Sequence, residues 1–368
     1  MLRSVPWLGA LLLTLLVGAK FDPATGFASL IRFGEQWESR RLAPIESVAP
    51  ATVPNSAGYD GQFYAQIALD PTLRDYDLAR VLDGPAYRAR RILAPAIAHL
   101  AGLGQPAWVL QAYALLNVAC WCALGWLLWR QLSPVDATDA ARWIGCLFSM
   151  GVLESVRQSL VDLPALLCLV IAVQAHGRSL PRSGVWLALG HLAKETNLLA
   201  TAALAAHRSF WRPRPLACLA LTAVPLALWL AYVHVRFAGA AAQTGAGNFT
   251  WPLLGAWDQL LHSGREILRG NLDSRHVGAL IAIPSLFLQL AVLVRHRSPE
   301  HPWWRIGIAY GVLLLLLGSW VWSGYWAALR AVLPLTIAFN LLLPRGRAFW
   351  PLWIGGNLTI LHAVWRFL

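Results

Sequence analysis

The sequence predicts an all-α integral membrane protein: a bundle of about eleven membrane helices with a long polar loop after the first. Three observations predict it. Of 368 residues, 57% are hydrophobic and only 13% charged, against about 25% charged in soluble domains. The apolar residues fall in runs close to the length that crosses a bilayer, about 20 residues. The loops between those runs divide into a strongly basic set and an electrically neutral one, the asymmetry that orients membrane helices.

The runs lie near 5–19, 107–129, 141–153, 160–176, 185–206, 215–237, 276–295, 303–321, 326–343 and 349–366. Run 185–206 carries Lys194 and Glu195 at its centre. A charged pair there is costly in lipid, so the run divides into two short helices meeting at a turn. The first run is read as an uncleaved first helix rather than a signal peptide. With Arg3 inside, the inner segments hold Arg3, Arg130, Arg142, Arg178, Arg182, Arg208, Arg212, Arg214, Arg295, Arg297, Arg305, Arg345 and Arg347 against Asp136, Asp139 and Glu300, while the outer segments 20–91, 154–159 and 239–275 each sum to zero. The net charge of +12 is therefore a topological address. No basic run is long enough for a nucleic-acid patch, which excludes that class of partner. The chain reads as one polytopic domain, 1–368, with outer loops at 20–106 and 239–275. Its 20 tryptophans sit mainly near span ends, as interfacial anchors do. The five cysteines, Cys120, Cys122, Cys146, Cys168 and Cys218, all fall in apolar runs and read as buried thiols. The ten histidines show no ligand spacing.

Segment 20–91 holds eighteen of the 48 charged residues. Phe27, Leu30, Ile31, Gly34 and Trp37 recur at helical spacing, which predicts a helix lying in the interface. Residues 92–104 are too short to span and predict a second surface helix. Between them, Gly58 and Gly61 flank Tyr59-Asp60, so a tight turn can present the carboxylate. Tyr59, Phe63 and Tyr64 offer flat faces of the kind sugar rings pack on. Arg88, Arg90 and Arg91 follow; arginine forks match phosphate oxygens. Plainer readings stand beside these: Asp60 as a turn cap, the arginines as an interfacial anchor, Asp70-Pro71 as a structural turn, and Asp75, Asp77 and Asp83 as solvated charges.

Further along, Glu154 and Arg157 share a helix face at i,i+3, with Asp162 nearby. Ionisable groups within spans are functional candidates by default. An outward cavity lined by Asp60, Arg88, Arg91, Arg157 and Lys194 is expected, while Arg236 and Arg330 read as snorkelling side chains. A carboxylate among cations at a lipid surface suits transfer from a lipid-phosphate donor: the cations hold the phosphate, and Asp60 takes the proton of the incoming hydroxyl. One carboxylate without a second nucleophile favours single displacement with inversion.

The layout, together with GYDGQFYAQIALDP at 58–71, RARRIL at 88–93 and LAKETNLL at 192–199, resembles the GT-C superfamily of polytopic glycosyltransferases, in particular a bacterial branch associated with cell-surface glycopolymers. The layout covers most of the chain; the motifs cover some thirty residues. The resemblance implies a polyprenyl-phosphate sugar as donor, a cell-surface glycan or lipid-linked acceptor, and a site on the periplasmic face of the inner membrane. It implies Asp60 as base and Arg88, Arg91 and Lys194 as phosphate contacts, with Arg90 and Arg157 beside them. Tyr59, Gln62, Tyr64, Glu154 and Glu195 are expected to face sugar or acceptor. Asp60 is followed by Gly61 and Gln62 rather than by a second acid as in metal-dependent members. No cofactor is required, and a divalent cation stays open, with Asp60 and Asp70 as its candidate ligands. Two readings from other classes use the same residues: a flippase or carrier of lipid-linked sugars, and a non-catalytic subunit of an assembly complex.

Overall fold

The structure is a computed structural model and describes residues 4–75, 77–206, 213–239 and 245–367. Arg3, Arg208 and Arg212, which entered the charge asymmetry, lie outside the described residues. The described chain is almost entirely helical; two two-residue strands, Phe33–Gly34 and Thr52–Val53, pair in parallel. It is a membrane protein by the length and apolarity of its helices. Three of them, Pro106–Leu132, Pro215–Arg236 and Ser274–Arg295, are long and apolar enough to cross a bilayer, and a fourth span results if the bent pair Tyr325–Ala331 and Leu333–Leu342 counts as one. Val5–Gly18, Asp162–His176 and Pro302–Leu316 are apolar but shorter.

Local chemistry sets these boundaries. Pro106 opens the longest helix at a first-turn position, where its missing N–H is unneeded, and Ser133 closes it at φ 41°. Asp273 caps Ser274–Arg295 by accepting the Arg275 N–H, as N-cap acids do. The 185–206 run breaks where the charged pair requires. Leu180–Ala193 ends at an extended Lys194, a short turn follows over Glu195–Asn197, and Leu198–Ala205 resumes the helix. The Asn197 amide donates to the Ala165 and Gly190 carbonyls at 3.0 and 3.2 Å, tying the turn to both the preceding helix and the neighbouring Asp162–His176 helix.

Several expected spans are interrupted. The 141–153 run is divided into Ala137–Leu147 and Met150–Arg157, with Ser149 extended between them. The 326–343 run bends by 64° at Val332, two residues before Pro334; proline has no N–H to give the carbonyl four residues back and its ring crowds that carbonyl, so the helix breaks and restarts there. The 349–366 run breaks at Asn357, whose amide pairs with Asn340. The expected interfacial helix over Phe27–Trp37 does not form. Arg32 takes a left-handed conformation, φ 56°, between two short 3₁₀ turns, and the Phe33–Gly34 strand packs on Gly58: a Cβ on Gly34 would lie 2.1 Å from the Gly58 nitrogen. Residues 92–104 do give a helix, Leu93–Ala101, packed on both Gly61–Leu69 and Pro106–Leu132. All five cysteines are free, and Cys122 and Cys218 are exposed rather than buried.

Gly61 seats the helix that carries the acidic turn. A Cβ there would meet the Gln158, Ile31 and Ser159 carbonyl oxygens at 2.3, 3.0 and 3.1 Å. Gly61→Ala should therefore cost about 1–3 kcal/mol and lower the melting temperature of the purified protein by several degrees; an unchanged melt would show that this seam is not tightly packed.

Candidate functional site

Asp60 stands immediately before the Gly61–Leu69 helix but does not cap it. The Tyr59 N–H donates to the Arg32 carbonyl at 3.1 Å, which fixes the turn, and the carboxylate points instead at cations. Its Oδ1 accepts from Arg88 Nη2 at 2.9 Å, and its Oδ2 lies 3.6 Å from Arg330 Nη2. The Asp60 side chain remains 30% exposed. Burial alone pushes its carboxyl pKa up, but Arg88 and then Arg330 outweigh burial and hold it at about 2.

Each neighbouring cation is matched in turn. Arg88 donates from Nε and Nη2 to both oxygens of Asp83, at 2.8 and 2.7 Å, and its guanidinium lies 5.0–5.6 Å from the rings of Phe63, Tyr64 and Tyr87. Asp83 is thus a site residue and not a solvated loop charge. Arg91 forks onto Glu195 at 2.9 and 2.8 Å and donates to the Tyr64 and Tyr87 hydroxyls. Arg90 stacks on Tyr87, 4.1 Å from the ring centroid, with Nε near Glu195 and the Tyr87 carbonyl at 3.2 and 3.1 Å. Its two Nη groups make no hydrogen bond among the described residues. Lys194 lies 2.5 Å from Asp162, whose other oxygen accepts from Arg330 at 3.0 Å. Arg330 and Trp326 both donate to the Tyr59 hydroxyl, at 2.9 and 2.7 Å.

The structure therefore brings together Tyr59, Asp60, Tyr64, Arg88, Arg90, Arg91, Lys194 and Glu195 as the sequence predicts, and adds Asp83, Tyr87, Asp162, Trp326 and Arg330. Arg330 is not snorkelling: its side chain is 9% exposed and bridges Asp60 and Asp162. A lone arginine in an apolar run was the available signal. Other expected members stand apart. Gln62 is buried and ties loop backbone, accepting from the Gly34 N–H and donating to the Ala57 carbonyl. Glu154 pairs with Arg366 at 2.8 Å and accepts from Gln158; the expected i,i+3 pair with Arg157 does not form. Asp70 is occupied by Thr72 and the Asp75 N–H. It lies at the far end of the nine-residue Gly61–Leu69 helix, about 15 Å along the axis from Asp60, so Asp60 and Asp70 cannot share one ion. Among the described residues no group of three or more His, Cys, Asp or Glu could hold a metal.

The arrangement offers a partly exposed carboxylate, a set of guanidinium groups, one of them with its outer fork unengaged, and aromatic faces, all joined in one contact network. No protein-family model, curated protein or solved structure matches this chain.

Two measurements check the electrostatics. Removing one partner of a buried ion pair costs about 3–5 kcal/mol, so Arg330→Gln should lower the melting temperature far more than Arg90→Gln, whose side chain is 22% exposed; equal melts would refute the bridging role. Asp60 is depressed from 3.8 to about 2, so its pairing stabilises the fold above about pH 4 and is lost as pH falls toward about 2. The melting gap between wild type and Asp60→Asn should be constant from neutrality to about pH 5 and close below about pH 4. A gap that widens on acidification would reverse this sign.

Proposed function

We propose that the protein is an inverting membrane glycosyltransferase that takes a sugar from a polyprenyl-phosphate donor. The observation that carries this reading is the partly exposed Asp60 carboxylate set against Arg88 beside Arg90, whose terminal fork is unengaged. Arg90, presented on the Tyr87 ring, makes the first contact with the donor phosphate, and Arg88, Arg91 and Lys194 stabilise the charge that develops as the sugar leaves. The acceptor hydroxyl oxygen bonds to the anomeric carbon as the bond from that carbon to the phosphate oxygen breaks. The electron pair leaves on the phosphate, and the hydroxyl proton passes to Asp60. Attack from the face opposite the leaving group inverts the carbon.

The resting network has a consequence for this chemistry. A carboxylate held at about 2 is a weak base, because Arg88 and Arg330 stabilise its charged form. A donor phosphate competing for Arg88 weakens that hold and raises the basicity of Asp60. Base strength then appears when donor is bound. In this reading the bundle of about eleven membrane helices includes the short and broken ones, and the site faces the periplasm of a bacterial inner membrane. The acceptor is a cell-surface glycan or a lipid-linked one. The charge asymmetry of the loops supports that orientation.

The test uses purified full-length protein in detergent with a panel of polyprenyl-phosphate sugars and a candidate glycan acceptor, read as release of free polyprenyl phosphate. Asp60→Asn should reduce release by about 10²–10⁴-fold, and a chelator should change nothing, since arginines already face both Asp60 oxygens. Release by Asp60→Asn at the wild-type rate would remove Asp60 as the base, and no release from either protein would sink the transferase reading and favour a carrier, which breaks no sugar–phosphate bond. Chelator sensitivity would assign a metal to the donor phosphate.

A further inference from the structure

A second group of cations sits beside the acidic turn and takes no part in the network around Asp60. Arg32 immediately precedes the Phe33–Gly34 strand, and its carbonyl holds the Tyr59 N–H at 3.1 Å. Arg157 ends the Met150–Arg157 helix. The two are brought close by the seam at Gly61, against which the Ile31 and Gln158 carbonyls both pack. Neither arginine side chain makes a hydrogen bond or ion pair among the described residues, and Arg157 Nε is buried without a partner. The nearby carboxylate, Glu154, is committed to Arg366. Lys20 adjoins the same seam, its carbonyl accepting from Ser29 at 2.5 Å; burial, followed by Arg157 and Arg32, holds its ammonium pKa below the usual range.

Arg32 and Arg157 repel each other while the nearby Glu154 carboxylate is shared with Arg366, and such like-charge proximity raises the energy of the fold. Arg32 adds to that cost, because a non-glycine residue at φ 56° sits in the sterically disfavoured left-handed region. Buried polar groups in folded proteins are ordinarily satisfied, and an exception calls for a partner. Two planar guanidinium forks match the oxygens of a phosphate better than any neutral group.

We propose that Arg32 and Arg157 form a second anion site, distinct from the Arg88–Arg90–Arg91 cluster, that takes a phosphate group carried by the acceptor. The proposal rests on the transferase reading for the word acceptor; the site itself does not. Tyr59 links the two sites, since its N–H is held by Arg32 and the next residue is Asp60. An acceptor anchored by its phosphate at Arg32 and Arg157 would bring its hydroxyl toward Asp60 while the donor phosphate occupies Arg90. The acceptor class this selects is a phosphate-bearing one, with the phosphate supplied either by a lipid headgroup or by a soluble glycan phosphate.

The test is calorimetric titration of the full chain in phosphatidylcholine nanodiscs with inorganic pyrophosphate. Wild type should show two classes of site. Arg157→Gln should weaken one of them about ten- to hundredfold and leave the other, while Arg90→Gln should do the reverse. Arg157→Lys should retain measurable binding, and a parallel Arg32→Gln should reproduce the loss, so a folding defect in one variant does not decide the matter. Repeating the wild-type titration in nanodiscs containing phosphatidic acid separates the sources. Loss of the Arg157 class there means that a lipid headgroup fills the site; its persistence means that the site takes soluble phosphate. Titration of Arg157→Gln indistinguishable from wild type overturns the proposal. A single site abolished by Arg90→Gln overturns it too and leaves the donor reading standing. Sensitivity to Arg157→Gln without sensitivity to Arg90→Gln upholds this site and removes the donor anchor.

Discussion

The Arg330 guanidinium is the constraint on which the rest of the site depends. It meets Asp162 on one side and Asp60 and the Tyr59 hydroxyl on the other, with its side chain 9% exposed. A charge so withdrawn from water is tolerated only when its partners are close and well oriented. Satisfying Arg330 therefore fixes the acidic turn and the start of Asp162–His176 relative to Tyr325–Ala331. The Asp60 carboxylate then has a defined direction, and Arg88 and Asp83 can be matched to it. Among the described residues, loss of Arg330 leaves the Tyr59 hydroxyl bonded to Trp326 alone and the Asp162 carboxylate paired with Lys194 alone.

Helix breaks serve this charge network. Lys194 stands extended between two helices and Glu195 opens the short turn after it; Arg330 lies two residues before the 64° bend; Asp162 begins its helix five residues after Met150–Arg157 ends. A continuous helix carries its side chains around the cylinder at a fixed pitch and satisfies its own backbone. A break releases backbone groups that then need partners, and irregular backbone at membrane depth is tolerated where it is enclosed by protein or lines a cavity. The breaks are therefore where ionisable groups can converge from several helices, with amides such as Asn197 tying the broken segment to its neighbour.

Much of this was legible in the sequence, for identifiable reasons. The helical class followed from composition, and the break at Lys194 followed from the cost of charge in lipid. Asp60, Arg88, Arg91 and Glu195 were visible because charges are rare in this chain and glycines bracket the turn. Asp83 and Arg330 were misread because each looks ordinary in its own neighbourhood: one acid among several in a loop, one arginine near a span end. Their partners lie 5 and 168 residues away, and the second separation leaves no local trace. Glu154 shows the converse. Its i,i+3 spacing to Arg157 was real, but Arg366, from a helix more than two hundred residues later, took the carboxylate. Local periodicity likewise predicted a helix over 27–37, where the close packing of Gly34 on Gly58 imposed a strand.

The long sequence separations bear on how the protein is made. Tyr59 meets Trp326 and Arg330 across 267 and 271 residues, so a chain emerging from the ribosome presents its acidic turn long before the partners for it exist. Domains form in order of synthesis where their contacts are local; here Asp60 and Asp162 await the Tyr325–Ala331 helix. Until that helix arrives the acidic turn lacks two of its clamps, and the segment stays open to water and to proteases. The clasp is thus ordered in time: it closes only after the Tyr325–Ala331 helix has been translated and inserted.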